Sequence, residues 1–196
     1  MKKAKIISMV VLVVVMIFSG IVAASANEQA THASITFLDG ELSWDTNYPQ
    51  GFEGMNFDFG SNELPLGAIT YRSATQGHML RVKDARSDNT KWYVFASMGQ
   101  FQDLEEDSDL AFDGVIRLAN GQASHDELIY GAGQPIVIPS DGTSTQVVAM
   151  PSPFRSMFSL QWTGEDVTLS LSDSEARNVA DAAYQSEITW TLVLDD

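Results

Sequence analysis

The densest group of side chains that could do chemistry is an acidic run in the middle of the chain. It consists of Asp103, Glu105, Glu106, Asp107, Asp109 and Asp113. Carboxylate oxygens are ligands that Ca²⁺ prefers, but an EF-hand loop starting at Asp103 would need glycine at its sixth position, where this chain has Ser108. We therefore expect a solvated loop and no metal site, with weak calcium binding as the alternative.

Residue types found in catalytic centres are present but scattered. The three histidines, His32, His78 and His125, form no pair at metal-binding spacing. Ser124-His125-Asp126 contains the residue types of a hydrolase triad, but triad members come from separate elements of a fold. The chain also lacks the GxSxG nucleophile motif and a glycine-rich phosphate loop. We predict that the protein is not an enzyme and uses no cofactor. A secreted hydrolase is the weakest alternative, and two opposed carboxylates across a cleft would be its first sign.

Residues 1–26 have the features of a secretory signal peptide. Lysines near the start precede a long apolar run that closes on Ala24-Ser25-Ala26, small residues of the kind that signal peptidase recognises. We predict cleavage before Asn27, a flexible leader over 27–34 and a single β domain over 35–196. The alternative is an uncleaved membrane anchor, although the apolar run is at the short limit for spanning a bilayer. Cleavage predicts an extracellular protein without stable membrane insertion.

The composition excludes several modes of attachment. The chain has 11 basic and 26 acidic residues and a formal charge of -15, and loss of the three signal-peptide lysines would make it about -18. Because no basic stripe exists, nucleic acid and anionic membrane surfaces are poor partners. The chain has no cysteine, so neither disulfides nor a lipoprotein anchor can form. We therefore expect surface attachment to be noncovalent and local.

Alternation of apolar and polar residues in short runs predicts an all-β fold, an antiparallel sandwich or distorted barrel. SITFLDGELSW predicts a hairpin that turns at Asp39-Gly40. MFSLQWTGEDVTLSLSD predicts a second hairpin, with a loop over 163–166 and Trp162 opposite Val167. Further predicted strands cover 79–84, 91–98, 112–118, 135–138, 145–150 and 187–194.

One segment has helical rather than strand periodicity. SDSEARNVADAA, residues 172–183, places Ala176, Val179 and Ala180 at helical spacing, with Ser174 or Asp173 as a possible N-cap. It is either one short helix or an alanine-rich loop. The fold is therefore predicted to contain at most one short helix, near 173–183.

Two tryptophan-centred triplets lie in predicted strands, and other short elements precede them. The elements in chain order are Phe57-Asp58-Phe59-Gly60, Leu64-Pro65, Asp84 with Arg86, Trp92-Tyr93-Val94 and Trp190-Thr191-Leu192. Their order and placement resemble the WxL domain of Gram-positive surface proteins, over residues 40–196. The chain departs from that pattern at Val94, where leucine is usual, and at Ser87, where glycine is frequent.

The resemblance implies noncovalent attachment to the cell wall, with peptidoglycan or another wall glycan as the partner. It also implies a location at the cell wall and cell surface, and a site that includes Trp92, Val94, Trp190, Leu192, Asp84 and Arg86. Aromatic rings suit this role because C–H groups of a sugar face pack on a π system. The alternative function is an extracellular protein-interaction subunit that assembles with other surface proteins.

The site residues also have a purely structural interpretation. Trp92 and Trp190 lie at alternating strand positions among apolar neighbours, so these residues, and Leu192 likewise, could pack in the core rather than contact a ligand. Asp84 and Arg86 lie two residues apart and would share a strand face if the strand continues as far as Arg86. They could form an ion pair that braces the fold or a polar floor for the ligand.

Overall fold

Short antiparallel strands make up most of the chain in the computed structural model. The structure describes residues 40–45, 55–88, 90–105, 107–125, 129–130, 134–151 and 155–195. The expected signal peptide, the leader and the first strand of the hairpin at Asp39-Gly40 lie outside these residues. The second strand of that hairpin is described, and Trp44 in it lies opposite Val82.

The strands of the described residues are β1 (Leu42–Trp44), β2 (Ile69–Arg72), β3 (Gly77–Asp84), β4 (Trp92–Met98), β5 (Phe101–Asp103), β6 (Ala111–Phe112), β7 (Val115–Leu118), β8 (Gln122–Ala123), β9 (Ile129–Tyr130), β10 (Ile136–Pro139), β11 (Thr145–Met150), β12 (Ser156–Thr163), β13 (Val167–Leu171), β14 (Tyr184–Gln185) and β15 (Ile188–Leu194).

These strands form four sheets. Sheet 1 has the order β1-β3-β12-β8, sheet 2 the order β10-β7-β13-β2, sheet 3 the order β15-β4-β11-β9, and sheet 4 the order β14-β5-β6. Each order ends on two different strands, so no sheet of the described residues closes into a barrel. The predicted antiparallel all-β fold is confirmed, as open sheets packed around a shared apolar core.

The core follows from the two-residue period of the strands. In β4, Trp92, Val94, Ala96 and Met98 are buried, while the residues between them are half-buried. β12 and β13 repeat the pattern. Because successive side chains of a strand point to opposite faces, each strand contributes one apolar row to the interior. Burial of these rows is the main favourable term that holds the sheets together.

The further strands predicted from alternation are all present, with one interruption. The predicted strand over 112–118 is divided into β6 and β7 at Asp113 and Gly114. Gly114 is buried, and a Cβ atom there would lie 2.8 Å from Leu169 and 3.1 Å from the Phe101 ring. The absence of a side chain at this point lets the chain pass close to the core where one strand ends and the next begins.

The predicted pairing of the two strands around 163–166 is wrong. β12 pairs with β3 and β8, whereas β13 pairs with β2 and β7, so the two strands belong to different sheets. A 3₁₀ turn over Gly164–Asp166 connects them. Alternation correctly placed Trp162 and Val167 in the core. The pairing was misjudged because two consecutive strands show the same alternation of buried and exposed residues whether they pair in one sheet or pack into one core from two sheets.

The segment with helical spacing contains one short helix followed by a loop. Helix α1 spans Asp173–Ala176, and its N-cap is Ser172, whose side chain accepts a hydrogen bond of 3.2 Å from the backbone N–H of Glu175. The helix therefore begins as predicted near 173, with a cap one residue earlier than expected. None of the helices in the described residues is both long and apolar enough to span a membrane.

Candidate functional site

The two tryptophan triplets lie side by side on adjacent antiparallel strands, β4 and β15. Leu192 lies directly opposite Val94, Trp190 opposite Ala96, and Leu194 opposite Trp92. Directly opposed residues of an antiparallel pair share one face of the sheet. The first and third residues of both triplets therefore face the same side, which in β4 is the buried side.

The two tryptophans differ in their surroundings. Trp92 is 1% exposed, and its ring meets the edge of Phe158 from sheet 1 with centroids 5.4 Å apart. Trp190 is half-buried and packs against the same core from its margin. The difference follows from strand order, because β4 has neighbours on both sides while β15 is the end strand of sheet 3. An indole at the end strand keeps part of its surface free for contact.

Asp84 and Arg86 form a buried two-point ion pair. Arg86 donates from Nε to Asp84 Oδ1 at 3.0 Å and from Nη2 to Asp84 Oδ2 at 2.9 Å. Arg86 Nη2 also donates to the carbonyl of Thr90 at 2.9 Å, and Nη1 lies 3.1 Å from Asp88 Oδ1. These bonds tie the end of β3 to the loop that leads into Trp92. The pair is therefore positioned to brace the connection between sheet 1 and sheet 3.

A cavity of about 1090 Å³ opens beside the second triplet. Its walls are the extended segment 55–65, the loop 179–183 with β14, and the beginning of β15. Its aromatic lining consists of Phe57, Phe59, Tyr71, Phe101, Phe112, Tyr184 and Trp190. The volume is near the upper end of the range for small-molecule sites, about 300–1000 Å³. A concave surface of this size, with aromatic rings among polar and aliphatic residues, is able to hold a ligand that has both apolar faces and polar groups.

Residues 56–65 of this wall have no regular secondary structure, and hydrogen bonds hold them in place. The carbonyl of Asp58 accepts a bond of 2.6 Å from the backbone N–H of Ala74 and one of 3.2 Å from the Ser73 hydroxyl. The Asp58 carboxylate accepts a bond of 2.8 Å from the Gly60 N–H, and Gly60 has a φ of 71°, which favours glycine. The Phe57 ring meets His78 edge-on at 4.8 Å. This cavity wall is therefore anchored to β3 and the turn before it.

The opposite wall is held by bonds from β14 and its flanks. Tyr184 Oη accepts a bond of 3.0 Å from the backbone N–H of Ala180, so the loop 179–183 is bonded to the first residue of β14. Ser186 Oγ donates to the carbonyl of Gly99 at 2.6 Å. The Tyr184 ring meets Phe112 edge-on at 5.0 Å. Tyr184 is therefore fixed at both its hydroxyl and its ring.

The charged groups of the cavity lining are all acidic. Asp58, Glu63 and Asp181 contribute to the lining and are exposed, and no lysine, arginine or histidine is among the lining residues of the described chain. Partial burial raises the pKa of Tyr71, so this hydroxyl is neutral at physiological pH. The cavity lining thus combines apolar rings with polar side chains, and its charged groups are exposed and negative.

Comparison with known proteins identifies the family. A family model described as "WxL domain surface cell wall-binding" matches residues 53–194, most of the chain. The chain belongs to the WxL family. No curated protein and no solved structure gives a significant match. The WxL assignment means that this is a cell-surface protein of the cell wall, that it attaches to the wall, and that its family is one of binding domains rather than of enzymes.

Of the six WxL site residues predicted from the sequence, the structure brings only Trp190 to the cavity. Trp92, Val94, Asp84 and Arg86 are buried, and Leu192 is half-buried beside Val94. The Phe57-to-Gly60 element, which helped to suggest the WxL family, forms a cavity wall that sequence reasoning did not place in the site.

Sequence reasoning also missed Tyr71 and Tyr184, which line the same cavity. Tyr71 belongs to β2 of sheet 2, whereas Tyr184 belongs to β14 of sheet 4. No spacing relates two residues that lie more than a hundred positions apart in the sequence. Nothing in the pattern around either tyrosine could have marked it.

Asp103 of the acidic run and His125 of this WxL domain make local structural bonds. Asp103 Oδ2 accepts a bond of 2.6 Å from the Ser108 hydroxyl, which together with the Glu105 N–H lowers the Asp103 pKa. No group of three metal-binding side chains occurs among the described residues. His125 Nε2 lies 3.2 Å from the Ser156 hydroxyl, and the Ser124 hydroxyl accepts a bond from the Ser159 N–H, so these two neighbouring side chains bond to different partners.

Proposed function

We propose that this WxL domain attaches to the wall noncovalently, by binding peptidoglycan in the aromatic cavity, and that it catalyses no reaction. The observation that carries the proposal is the position of Trp190. It belongs to the second family triplet and lines the cavity with six other aromatic residues. A residue of the family triplet thus lies at a ligand-sized concavity.

The buried members of the motifs have a supporting role in this proposal. The contact of Val94 with Leu192 stabilises one register between β4 and β15, and this register determines the position of Trp190. Trp92 secures β4 to sheet 1 through Phe158. The Asp84–Arg86 pair holds the loop that leads into β4. These residues position the binding surface and do not touch the ligand.

Peptidoglycan suits this cavity because of its sugar backbone. Pyranose rings have faces of C–H groups that pack on aromatic rings, and their hydroxyl and amide groups need a few hydrogen-bond partners. Exposed polar side chains in the lining, including Asn56 and Gln185, can supply such partners. The wall is also a repeating polymer, so it offers many equivalent sites to the domain.

A second function, assembly with other surface proteins, is favoured by the position of β15, which has a strand partner on one side only among the described residues. This strand ends sheet 3, and Val193 and Leu194 are 37% and 43% exposed. A long end strand with apolar exposure is a template to which another chain can add a strand. In that case contact with the wall would be indirect.

Sedimentation with purified sacculi tests the proposed function. The mature chain, residues 27–196, is mixed with peptidoglycan from which proteins and teichoic acids have been removed. We expect retention that soluble peptidoglycan fragments compete away. Folded protein that stays in the supernatant would contradict the proposal. If it were then retained only on walls that carry their surface proteins, assembly with those proteins would be the better function.

A further inference from the structure

We infer that the cavity takes an uncharged N-acetylated amino-sugar strand and rejects the phosphate polymers and free carboxylates of the wall. This inference rests on the proposed function, since it names which chemical part of the wall occupies the site. It follows from three observations: the sign of the charges in the lining, their exposure, and the aromatic surface between them.

The first step is the sign of the charge. Asp58, Glu63 and Asp181 are the charged residues of the lining, and no basic side chain of the described chain balances them there. The whole chain adds to the same field, with a formal charge of -15. A phosphodiester polymer would meet like charges without a cationic partner, which costs binding energy. A stem-peptide carboxylate would meet the same repulsion.

The second step is the exposure of those carboxylates. All three side chains are exposed, so water and salt screen them strongly. Exposed ion pairs contribute little, about 0–1 kcal/mol each. Attraction of a ligand amine to this lining is therefore weak. Screening weakens the repulsion of an anion in the same proportion, so an anion is disfavoured chiefly because no basic side chain of the described lining can pair with it.

The third step is the aromatic surface. Phe57, Phe59, Tyr184 and Trp190 are half-buried, so each is held by the fold and retains some free surface at the cavity. The face of a pyranose ring and the methyl of an acetamido group are the apolar parts of an N-acetylated sugar, and both pack on aromatic rings. A ligand with repeated neutral apolar faces can pack on several of these rings while its hydroxyl and amide groups meet the polar part of the lining.

Three ligands that differ in charge and acetylation test the ligand class. Their binding to residues 27–196 is measured by isothermal titration calorimetry. The ligands are an oligosaccharide of N-acetylglucosamine, the same oligosaccharide without its acetyl groups, and poly(glycerol phosphate). We expect the first to bind with an affinity that changes less than about twofold between low and high salt, because no ion pair is formed. We expect the deacetylated oligosaccharide to bind at least about tenfold more weakly, a difference of about 1.4 kcal/mol. We expect no binding of the phosphate polymer.

A charge-reversal pair tests the source of anion rejection. The double variant Glu63→Lys with Asp181→Lys is expected to gain measurable affinity for poly(glycerol phosphate). The matched control, Glu41→Lys with Glu165→Lys, makes the same change in net charge at exposed residues outside the cavity. If both doubles gain equally, overall charge decides the rejection and the local inference is overturned.

Aromatic variants locate the neutral sugar. Trp190→Ala is expected to weaken binding of the N-acetylated oligosaccharide by about tenfold or more, as loss of a central aromatic contact does. Tyr93→Ala is the control, because Tyr93 lies on the opposite face of β4 and does not line the cavity. Should Trp190→Ala fail to fold, Trp190→Phe in a folded protein is expected to weaken binding in the same direction. Unchanged binding by a folded Trp190 variant would overturn the inference.

The failure of this inference is distinguishable from failure of the proposed function. Retention on sacculi without binding or competition by the N-acetylated oligosaccharide would leave peptidoglycan binding intact and remove the glycan strand as the occupant. Absence of retention on sacculi would remove both. Binding of only the deacetylated oligosaccharide, at low salt alone, would show that charge rather than ring contact holds the ligand.

Discussion

Val94 and Leu192 lie directly opposite each other on adjacent antiparallel strands, so the third residues of the two family triplets are cross-strand partners. The tryptophans are then offset to either side, with Trp92 opposite Leu194 and Trp190 opposite Ala96. One triplet is central to the core while the other reaches the cavity margin. The two triplets therefore act as one structural unit that aligns the end strand with the core.

A double-mutant cycle on this pair tests that unit. Val94→Ala, Leu192→Ala and the double variant are compared by urea denaturation. Directly opposed apolar residues contribute about 0.2–1 kcal/mol as a pair, so we expect the double variant to cost less than the sum of the two single ones by about that amount. Strict additivity would show that the two residues stabilise their strands independently.

Substitution of Trp92 and substitution of Trp190 should have different effects on stability and on binding. Trp92→Ala removes a buried ring from the Phe158 contact and is expected to cost about 3–5 kcal/mol of unfolding free energy. Trp190→Ala should cost less, because the ring is half-buried, while it loses sacculus binding. Denaturation curves and sedimentation on the same preparations check both. Equal stability losses would contradict the difference in burial.

A buried and an exposed ion pair allow the contribution of each to stability to be compared. Asp84→Ala leaves the buried Arg86 charge without its two-point partner and is expected to cost about 3–5 kcal/mol. Asp173→Ala breaks the exposed pair with Arg177, whose side chains are 63% and 71% exposed, and should cost about 0–1 kcal/mol. Thermal melting of the two variants measures the contrast. Similar melting temperatures would rule out a bracing role for Asp84 and Arg86.

Acid should destabilise the fold through Asp103 and Asp166. The Ser108 hydroxyl lowers the Asp103 pKa, and the Thr163 hydroxyl, then Asn120, lower that of Asp166. A carboxylate whose folded pKa is depressed stabilises the native state above its unfolded pKa, about 4, and this stability is lost as pH falls through the folded pKa. We expect stability to fall below about pH 4. Asp103→Asn and Asp166→Asn should lessen that fall in urea titrations, whereas Glu165→Gln should not.

The turn between β12 and β13 should tolerate no side chain at Gly164. A Cβ atom there would collide with the backbone carbonyl of Thr75 in the turn before β3. Gly164→Ala should therefore cost about 1–3 kcal/mol through overpacking. Gly99→Ala is the control, since no atom lies within 4 Å of a Cβ at that position. Comparable denaturation midpoints for the two variants would contradict a steric requirement at this crossing.

Alternation predicted which residues face the core, because the period of a strand is a local property of the chain. Trp162 and Val167 are both buried as that pattern required. Pairing is not local, and the same alternation fits a hairpin and a crossing between sheets. The predicted pairing of β12 with β13 failed for that reason, while the single short helix near 173 was within reach of local capping and spacing.

The sequence by itself determined the all-β class, the family triplets and the side of each strand that turns inward. Only the tertiary structure decided that Trp92 is enclosed while Trp190 borders a cavity, because exposure depends on whether a strand is central or terminal in its sheet. It also brought Phe57, Tyr71 and Tyr184 to one surface from separate parts of the chain. Contacts between distant residues arise from packing, and no short sequence window encodes them.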